Sequence, residues 1–186
     1  MLTLDELSRA RDHEPAALDR FVEAFFDRTF GLIIRFTGDR VVAEDLTQET
    51  FLRIHRALAT LDTERDPWPW VAAIAVNVCR DHRGSATSRL DSRARSLDAH
   101  PALANDLSDA GADPERVAIS RQEAARVQAA LDRVPERDRL VVLLHAWQGF
   151  GHDEIARMTG HSHAAVRQQY RRTLAVLGKL LKETGP

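Results

Sequence analysis

Between positions 164 and 182 the chain carries five cations, Arg167, Arg171, Arg172, Lys179 and Lys182, and no carboxylate. Ser162, His163, Gln168 and Gln169 stand just ahead of them or among them. Guanidinium groups pair with the edge of guanine, side-chain amides pair with adenine, and either holds a phosphate, so the set suits nucleic-acid recognition. On charge alone it reads equally well as the solvated face of a helix. A second polar set lies upstream: Asp45, Gln48, Glu49, Arg53 and Arg56, with Glu49 and Arg53 at the i,i+4 spacing of a helical ion pair. This is either a charged docking face or an ordinary solvent-exposed one.

Other chemistry finds little support. Cys79 is the only cysteine, so an internal disulfide is impossible and a cysteine-based zinc site is not expected. Eight histidines are present, but no HExxH or comparable ligand spacing occurs, and the expectation is no metal and no cofactor. Nucleophile-elbow and phosphate-loop motifs are missing too, so an enzyme is not expected. No run approaches the roughly 18 apolar residues of a membrane span, and positions 1–14 lack the apolar core of a secretory signal. The expectation is a cytoplasmic protein with no membrane insertion.

The elements that must position the polar sets are helical. Pro15 opens a helix running to about Phe36, with Leu18, Phe21, Val22, Phe25, Phe26 and Thr29 on one face. Gly38 and Asp39 break it. A second helix starts near Val41, with Leu46, Thr50, Phe51, Ile54 and Leu58 inward. Pro67 and Pro69 make 62–69 a loop. A third helix follows over about 70–83, with Trp70, Val71, Ile74 and Val78 inward.

Positions 84–114 are rich in Gly, Ser, Pro, Ala and Asp, which points to a linker of about thirty residues. Helical periodicity resumes at Pro114-Glu115, with Val117, Ile119, Ala124, Val127, Ala130 and Leu131 apolar. Pro135-Glu136 opens the next helix, with Leu140, Val141, Leu143, Leu144 and Trp147 buried. The fold class is therefore all-α: two small helical domains, 1–83 and 115–186, joined by a long linker, 84–114. The basic and acidic counts are 11 and 15 over 1–83, 3 and 5 over 84–114, and 12 and 8 over 115–186, so net charges of −4, −2 and +4 make up the total of −2. Electrostatics favour nucleic acid at the C-terminal domain.

The stretch 151–177 has the proportions of a helix-turn-helix: a short helix at Asp153-Glu154-Ile155-Ala156-Arg157-Met158, a turn at Gly160, and a longer basic helix from about Ser162. Ile155, Ala156 and Val166 face inward. The exposed set is Ser162, His163, Arg167, Gln168, Gln169, Arg171 and Arg172.

Gly149-Phe150-Gly151-His152-Asp153-Glu154-Ile155-Ala156, with Gly160, Ser162, Val166, Arg167 and Arg172, resembles the promoter-binding C-terminal domain of sigma factors. Ala43-Glu44-Asp45-Leu46-Thr47-Gln48-Glu49-Thr50-Phe51-Leu52-Arg53 resembles the polymerase-docking helix of extracytoplasmic-function (ECF) sigma factors. Trp70-Val71-Ala72-Ala73-Ile74-Ala75-Val76-Asn77, with Asp81 and Arg83, is similar to the helix after it, which faces the −10 promoter element. The motifs stand in the family's order, before and after a linker.

The resemblance implies a factor that binds core RNA polymerase and directs promoter-specific initiation at −10 and −35 elements of promoter DNA. Asp45, Gln48, Glu49 and Arg53 match its polymerase-docking face. The loop that captures an unstacked −10 base maps to about 61–68, with Asn77 and Arg80 nearby; Trp68 is either a stacking plane for that base or a core plug. Ser162, His163, Ala165, Arg167, Gln168 and Arg171 match the −35 readers. An anti-sigma factor that covers the docking face or separates the two domains is a further expected partner, and the acidic residues of 91–113 suit the basic channel that family linkers enter. No fused C-terminal regulatory domain is expected.

Three departures from the family pattern stand out: His161 at a usually aliphatic position, Ala164 for the usual glycine, and Leu174-Ala175-Val176 where relatives are basic. The rival readings are a stand-alone helix-turn-helix regulator that binds duplex DNA, and a sigma-like protein-interaction module.

Overall fold

Thr3 and Glu6 cap each other at the start of α1 (Leu4–Arg11): the Thr3 amide donates to Glu6 Oε2 at 2.8 Å, and the Glu6 amide donates to Thr3 Oγ1 at 3.2 Å. Two otherwise orphaned amides are thereby satisfied. The same contacts, the Thr3 amide foremost, hold the Glu6 carboxyl below its usual range. α1 buries Leu7 and Ala10, and was not expected from periodicity because it is only two turns long. The computed structural model describes residues 2–89 and 114–183, with side chains over 2–82 and 122–183. These residues form two compact units, one of 2–33 with 41–89 and one of 34–40 with 114–183. Among the described residues there is no strand, and no helix is long and apolar enough to cross a membrane.

In the first unit, α2 (Pro15–Thr37) buries Ala17, Phe21, Thr29, Leu32 and Ile33. Val22 and Phe26, expected inward, are 39% and 43% exposed. Val22 stands about 100° around the helix from buried Phe21, and Phe26 the same from half-buried Phe25, so both fall beyond the edge of the buried stripe. α3 (Arg40–Ala57) buries Ala43, Leu46, Thr47, Thr50 and Ile54. The two threonine hydroxyls donate to the carbonyls of Ala43 and Leu46, each at 2.7 Å, so the polar groups on this apolar face are satisfied. A 3-10 turn (Leu58–Thr60) follows, with Leu58 fully buried.

α4 (Trp68–Arg89) starts two residues before the expected Trp70, because Asp66 Oδ1 accepts the Trp68 amide at 3.0 Å and caps it. Pro69 falls in its first turn, where a missing amide costs nothing. Val71, Ala72, Ala75, Val76, Val78 and Cys79 are buried, whereas Trp70 and Ile74 are only half-buried at the margin of that face. The helix continues past the expected end at 83, through Gly84, Ser85 and Ser88. A helical glycine costs about 1 kcal/mol, which a helix anchored over its preceding turns tolerates. Of the expected linker, 90–113 lies outside the described residues.

In the second unit, α5 (Pro114–Asp132) buries Gln128, Ala130 and Leu131 and leaves Val127, expected inward, 47% exposed. Val117 and Ile119, also expected inward, lie outside the described side chains. α6 (Glu136–Val142) carries a buried cation, Arg139, whose Nη1 donates to Asp132 Oδ1 at 3.0 Å and Nη2 to the Val134 carbonyl at 3.4 Å. A π-helical turn (Leu143–Trp147) extends α6, with the Gln148 amide donating to the Leu143 carbonyl at 3.0 Å. The wider turn rotates the residues after it, so Trp147, expected buried, is 43% exposed, while Phe150 enters the core.

α7 (His152–Thr159) is capped by Glu154, which accepts the Gly151 amide at 2.8 Å. It ends at Gly160, whose φ of 70° lies in the left-handed region that favours glycine. α8 (His163–Glu183) packs on α5, α6 and α7 through Val166, Gln169, Thr173, Leu177 and Leu180.

Candidate functional site

Three surfaces carry the polar sets. On α8, Ser162, His163, Ala165, Arg167, Gln168 and Arg171 are all exposed, while Val166 between them is fully buried. Ser162 Oγ accepts the Ala165 amide at 3.2 Å and caps the helix, so its oxygen has a structural duty besides any contact to DNA. Gln169 is not part of the exposed face. Its amide donates to the Arg137 carbonyl at 2.9 Å and to Asp138 Oδ1 at 2.8 Å, which ties α8 to the start of α6.

Behind the first turn of α8 lies a histidine cluster that motif reading did not bring together. The rings of His145 and His152 stack at 4.3 Å, and Tyr170 meets His145 edge-on at 4.5 Å. His152 also meets His163, at 5.9 Å. His145 Nδ1 lies 2.7 Å from the Phe150 carbonyl, which only accepts, so Nδ1 carries the proton. Desolvation, then the proximity of His145, His163 and Arg167, holds the His152 imidazole below its usual range, with Asp153 opposing. Their separation by seven and eleven residues across three elements hides the cluster in the sequence. No group of three His, Cys, Asp or Glu among the described residues is arranged to hold a metal.

On α3, Asp45 and Gln48 are exposed and Glu49 and Arg53 are half-buried. Arg53 is engaged twice: Nε donates to Glu49 Oε1 at 2.7 Å, and Nη1 to Asp81 Oδ2 on α4 at 2.5 Å. These carboxylates, Asp81 first, raise its already high pKa. Arg53 therefore braces α3 against α4 while holding Glu49, and Asp45 and Gln48 are the fully exposed members of the set. Beside them opens an apolar groove of about 440 Å³ lined by Val22, Gln48, Phe51 and Leu52 among others. Phe26 packs parallel to Phe51 at 6.0 Å on its margin. The inward spacing of Val22 and Phe26 hides this apolar strip in the sequence.

The third surface is the loop ahead of α4 and the outward face of that helix. Asn77 and Arg80, one turn apart, are both exposed. Trp68 is 2% exposed, which of its two readings favours the core plug over the stacking plane. Its ring lies parallel to Phe25 at 6.4 Å, and the Arg28 guanidinium carbon stands 4.1 Å from its centroid. Burial of the ring follows from the early helix start: the Asp66 cap places Trp68 in the first turn, facing α2.

A helix-turn-helix whose second helix is exposed, basic and free of carboxylates over 164–182 suits DNA binding. A second helical unit carries its own charged and apolar face on α3. Comparison with known proteins agrees. The pattern of sigma-70 region 2 matches residues 21–89 and that of sigma-70 region 4 matches 124–177. The RNA polymerase sigma factor NccH of Alcaligenes xylosoxydans is 30% identical over 146 residues, 76% of this chain and 74% of that protein. The ECF RNA polymerase sigma factor BldN of Streptomyces coelicolor is 29% identical over 182 residues, 97% of this chain; the chain spans 66% of its length. In fold, the sigma factor RpoE of Bartonella quintana, solved in complex with the anti-sigma factor NepR, superposes with a TM-score of 0.67 at 18% identity, covering 90% of this chain and 98% of that one. The chain belongs to the sigma-70 family of RNA polymerase sigma factors, in its ECF group.

Proposed function

We propose that this chain binds core RNA polymerase through the outward face of α3 and directs transcription initiation at promoters bearing −10 and −35 elements. The observation that carries this reading is the pairing of two family regions in order with two separate polar faces, one on α3 and one on α8, each exposed on a buried apolar base.

Asp45, Gln48 and Glu49 dock on the polymerase, with the apolar strip at Val22, Phe26 and Leu52 extending that contact. Arg53 positions them and couples α3 to α4. Asn77 and Arg80 face the −10 element, with Trp68 beneath the loop as its support. Ser162, His163, Ala165, Arg167, Gln168 and Arg171 face the −35 element. We place the N-terminal domain at 1–83, with α4 carrying it on to Arg89, the linker in the segment that follows, and the C-terminal domain at 115–186. Catalysis belongs to the polymerase; this chain contributes binding energy to positioning and strand opening, and acts in the cytoplasm. An anti-sigma factor, of the kind held by RpoE of Bartonella quintana, restrains it by covering the α3 face.

The test is promoter-dependent transcription with sigma-free core polymerase and fragments of the host genome, followed by sequencing of transcript starts. The expected result is new starts sharing two spaced upstream elements. A folded protein that neither binds core polymerase nor yields such starts overturns the reading in favour of a stand-alone regulator or an interaction module.

A further inference from the structure

With Trp68 buried, a second flat group lies against its ring from the neighbouring helix α2. Arg28 is an exposed residue of α2, and its guanidinium carbon stands 4.1 Å from the Trp68 ring centroid. This is cation–π distance, at which an arginine lies over an indole and is held there. Asp66, the residue that caps α4 from the same loop, lies near enough to favour the charged form of Arg28. Partial burial opposes it, the larger of the two effects. The guanidinium thus lies over the Trp68 ring with the Asp66 carboxylate in its field, and the residue remains exposed.

We propose that Arg28 is a −10 contact residue, its guanidinium plane supporting the unstacked base that the 61–68 loop captures. The proposal rests on the promoter-opening reading above and names a residue of α2 that neither family motif nor spacing singles out. Guanidinium planes stack on bases as they do on aromatic side chains, and an arginine is weakly hydrated enough to present its face. The layering is then indole, guanidinium, base. Stacking is favoured over a phosphate contact because Asp66 already offsets part of the Arg28 charge and would repel a phosphate brought to the same place. A lysine at 28 keeps the charge but has no plane.

The experiment uses holoenzyme reconstituted from the full chain and core polymerase, with promoter templates forked so that the −10 element is single-stranded. Each −10 position is replaced in turn by an abasic site. Arg28→Ala is expected to weaken binding to the intact fork roughly tenfold. At the captured position, an abasic site weakens binding by the unsubstituted protein and has no further effect in Arg28→Ala. Arg28→Lys is expected to behave as Arg28→Ala. Wild-type affinity of Arg28→Ala, full rescue by lysine, or a loss that is the same on intact and abasic forks would each overturn the proposal. Duplex −35 binding and core-polymerase binding are measured alongside; an equal loss in these marks a folding defect and also overturns it. If the unsubstituted holoenzyme shows no preference for the forked promoter, the promoter-opening reading itself falls, an outcome visible without any variant.

Discussion

Arg53 of α3 donates to Asp81 of α4 at 2.5 Å while holding Glu49 of its own helix at 2.7 Å. One guanidinium thus joins the helix proposed to meet the polymerase to the helix proposed to meet the −10 element. Both pairs are partly solvated, so their worth to folding is small, about 1 kcal/mol or less. Asp81→Ala is therefore expected to leave the thermal midpoint nearly unchanged. Its effect should show in open-complex formation, with polymerase affinity retained. A midpoint lowered by ten degrees or more, on the order of 2 kcal/mol, would make the pair a folding element rather than a brace.

The docking face is tested by reversing its charge. Asp45→Arg with Glu49→Arg is expected to abolish core-polymerase binding while leaving the helical circular-dichroism signal intact, because Asp45 is exposed, Glu49 half-buried, and Arg53 keeps Asp81 as a partner. Unchanged polymerase affinity in this double variant would remove α3 from the interface.

Arg167→Ala and Arg171→Ala, substitutions at exposed positions of α8, are expected to weaken promoter binding singly. If an arginine contacts phosphate, its loss lowers the slope of log affinity against log salt by about 1. If it contacts a base edge, its loss relaxes selectivity at one −35 position with the slope retained. Wild-type promoter activity in both variants would take them out of the interface.

His152 contributes a pH dependence to the stability of the C-terminal unit. Its pKa is held below 6.5 in the folded chain, so beneath that pH the unfolded chain binds more protons than the folded one. The His152 contribution is complete above about pH 6.5 and is lost as pH falls through the window below it. Urea titrations from pH 7.5 to 5 should show the difference between wild type and His152→Gln constant in the upper range and moving against wild type in the lower. A difference that stays constant throughout would contradict this.

Trp68 gives a packing prediction. Fully buried large aromatics cost about 3–5 kcal/mol when cut to alanine, so Trp68→Ala should destabilise the chain grossly, and Trp68→Phe far less. A folded, stable Trp68→Ala that fails only in promoter opening would return Trp68 to the role of stacking plane.

Much of the architecture was legible in the sequence because helix periodicity and proline or glycine punctuation act locally. Pro15, Pro135 and Gly160 stand where elements begin or end. The exposure of the six α8 positions followed from one buried residue, Val166. What was not legible depended on register across elements. Val22, Phe26, Val127 and Trp147 have apolar side chains at plausible inward spacings, yet each lies just off the stripe its helix buries. For Trp147 the cause is a single π-helical turn, which no local propensity announces. Gln169 looked like a reader because it is polar and sits between readers. Only the position of Asp138, thirty-one residues away in the chain, shows that it points inward.

That inward amide has a consequence for how such proteins diverge. By gripping Arg137 and Asp138 from the protein side, Gln169 sets the rotational phase of α8 without touching the face presented to DNA. Arg167, Gln168 and Arg171 are thereby relieved of holding the helix in place, a duty that Ser162 keeps through its cap and His163 through its contact with His152. On the proposed −35 assignment, substitutions at Arg167, Gln168 or Arg171 would alter which bases are preferred while leaving the set of the helix unchanged. A lineage that duplicates this gene can thus acquire a new set of target promoters one side chain at a time, with the folded framework unchanged at each step.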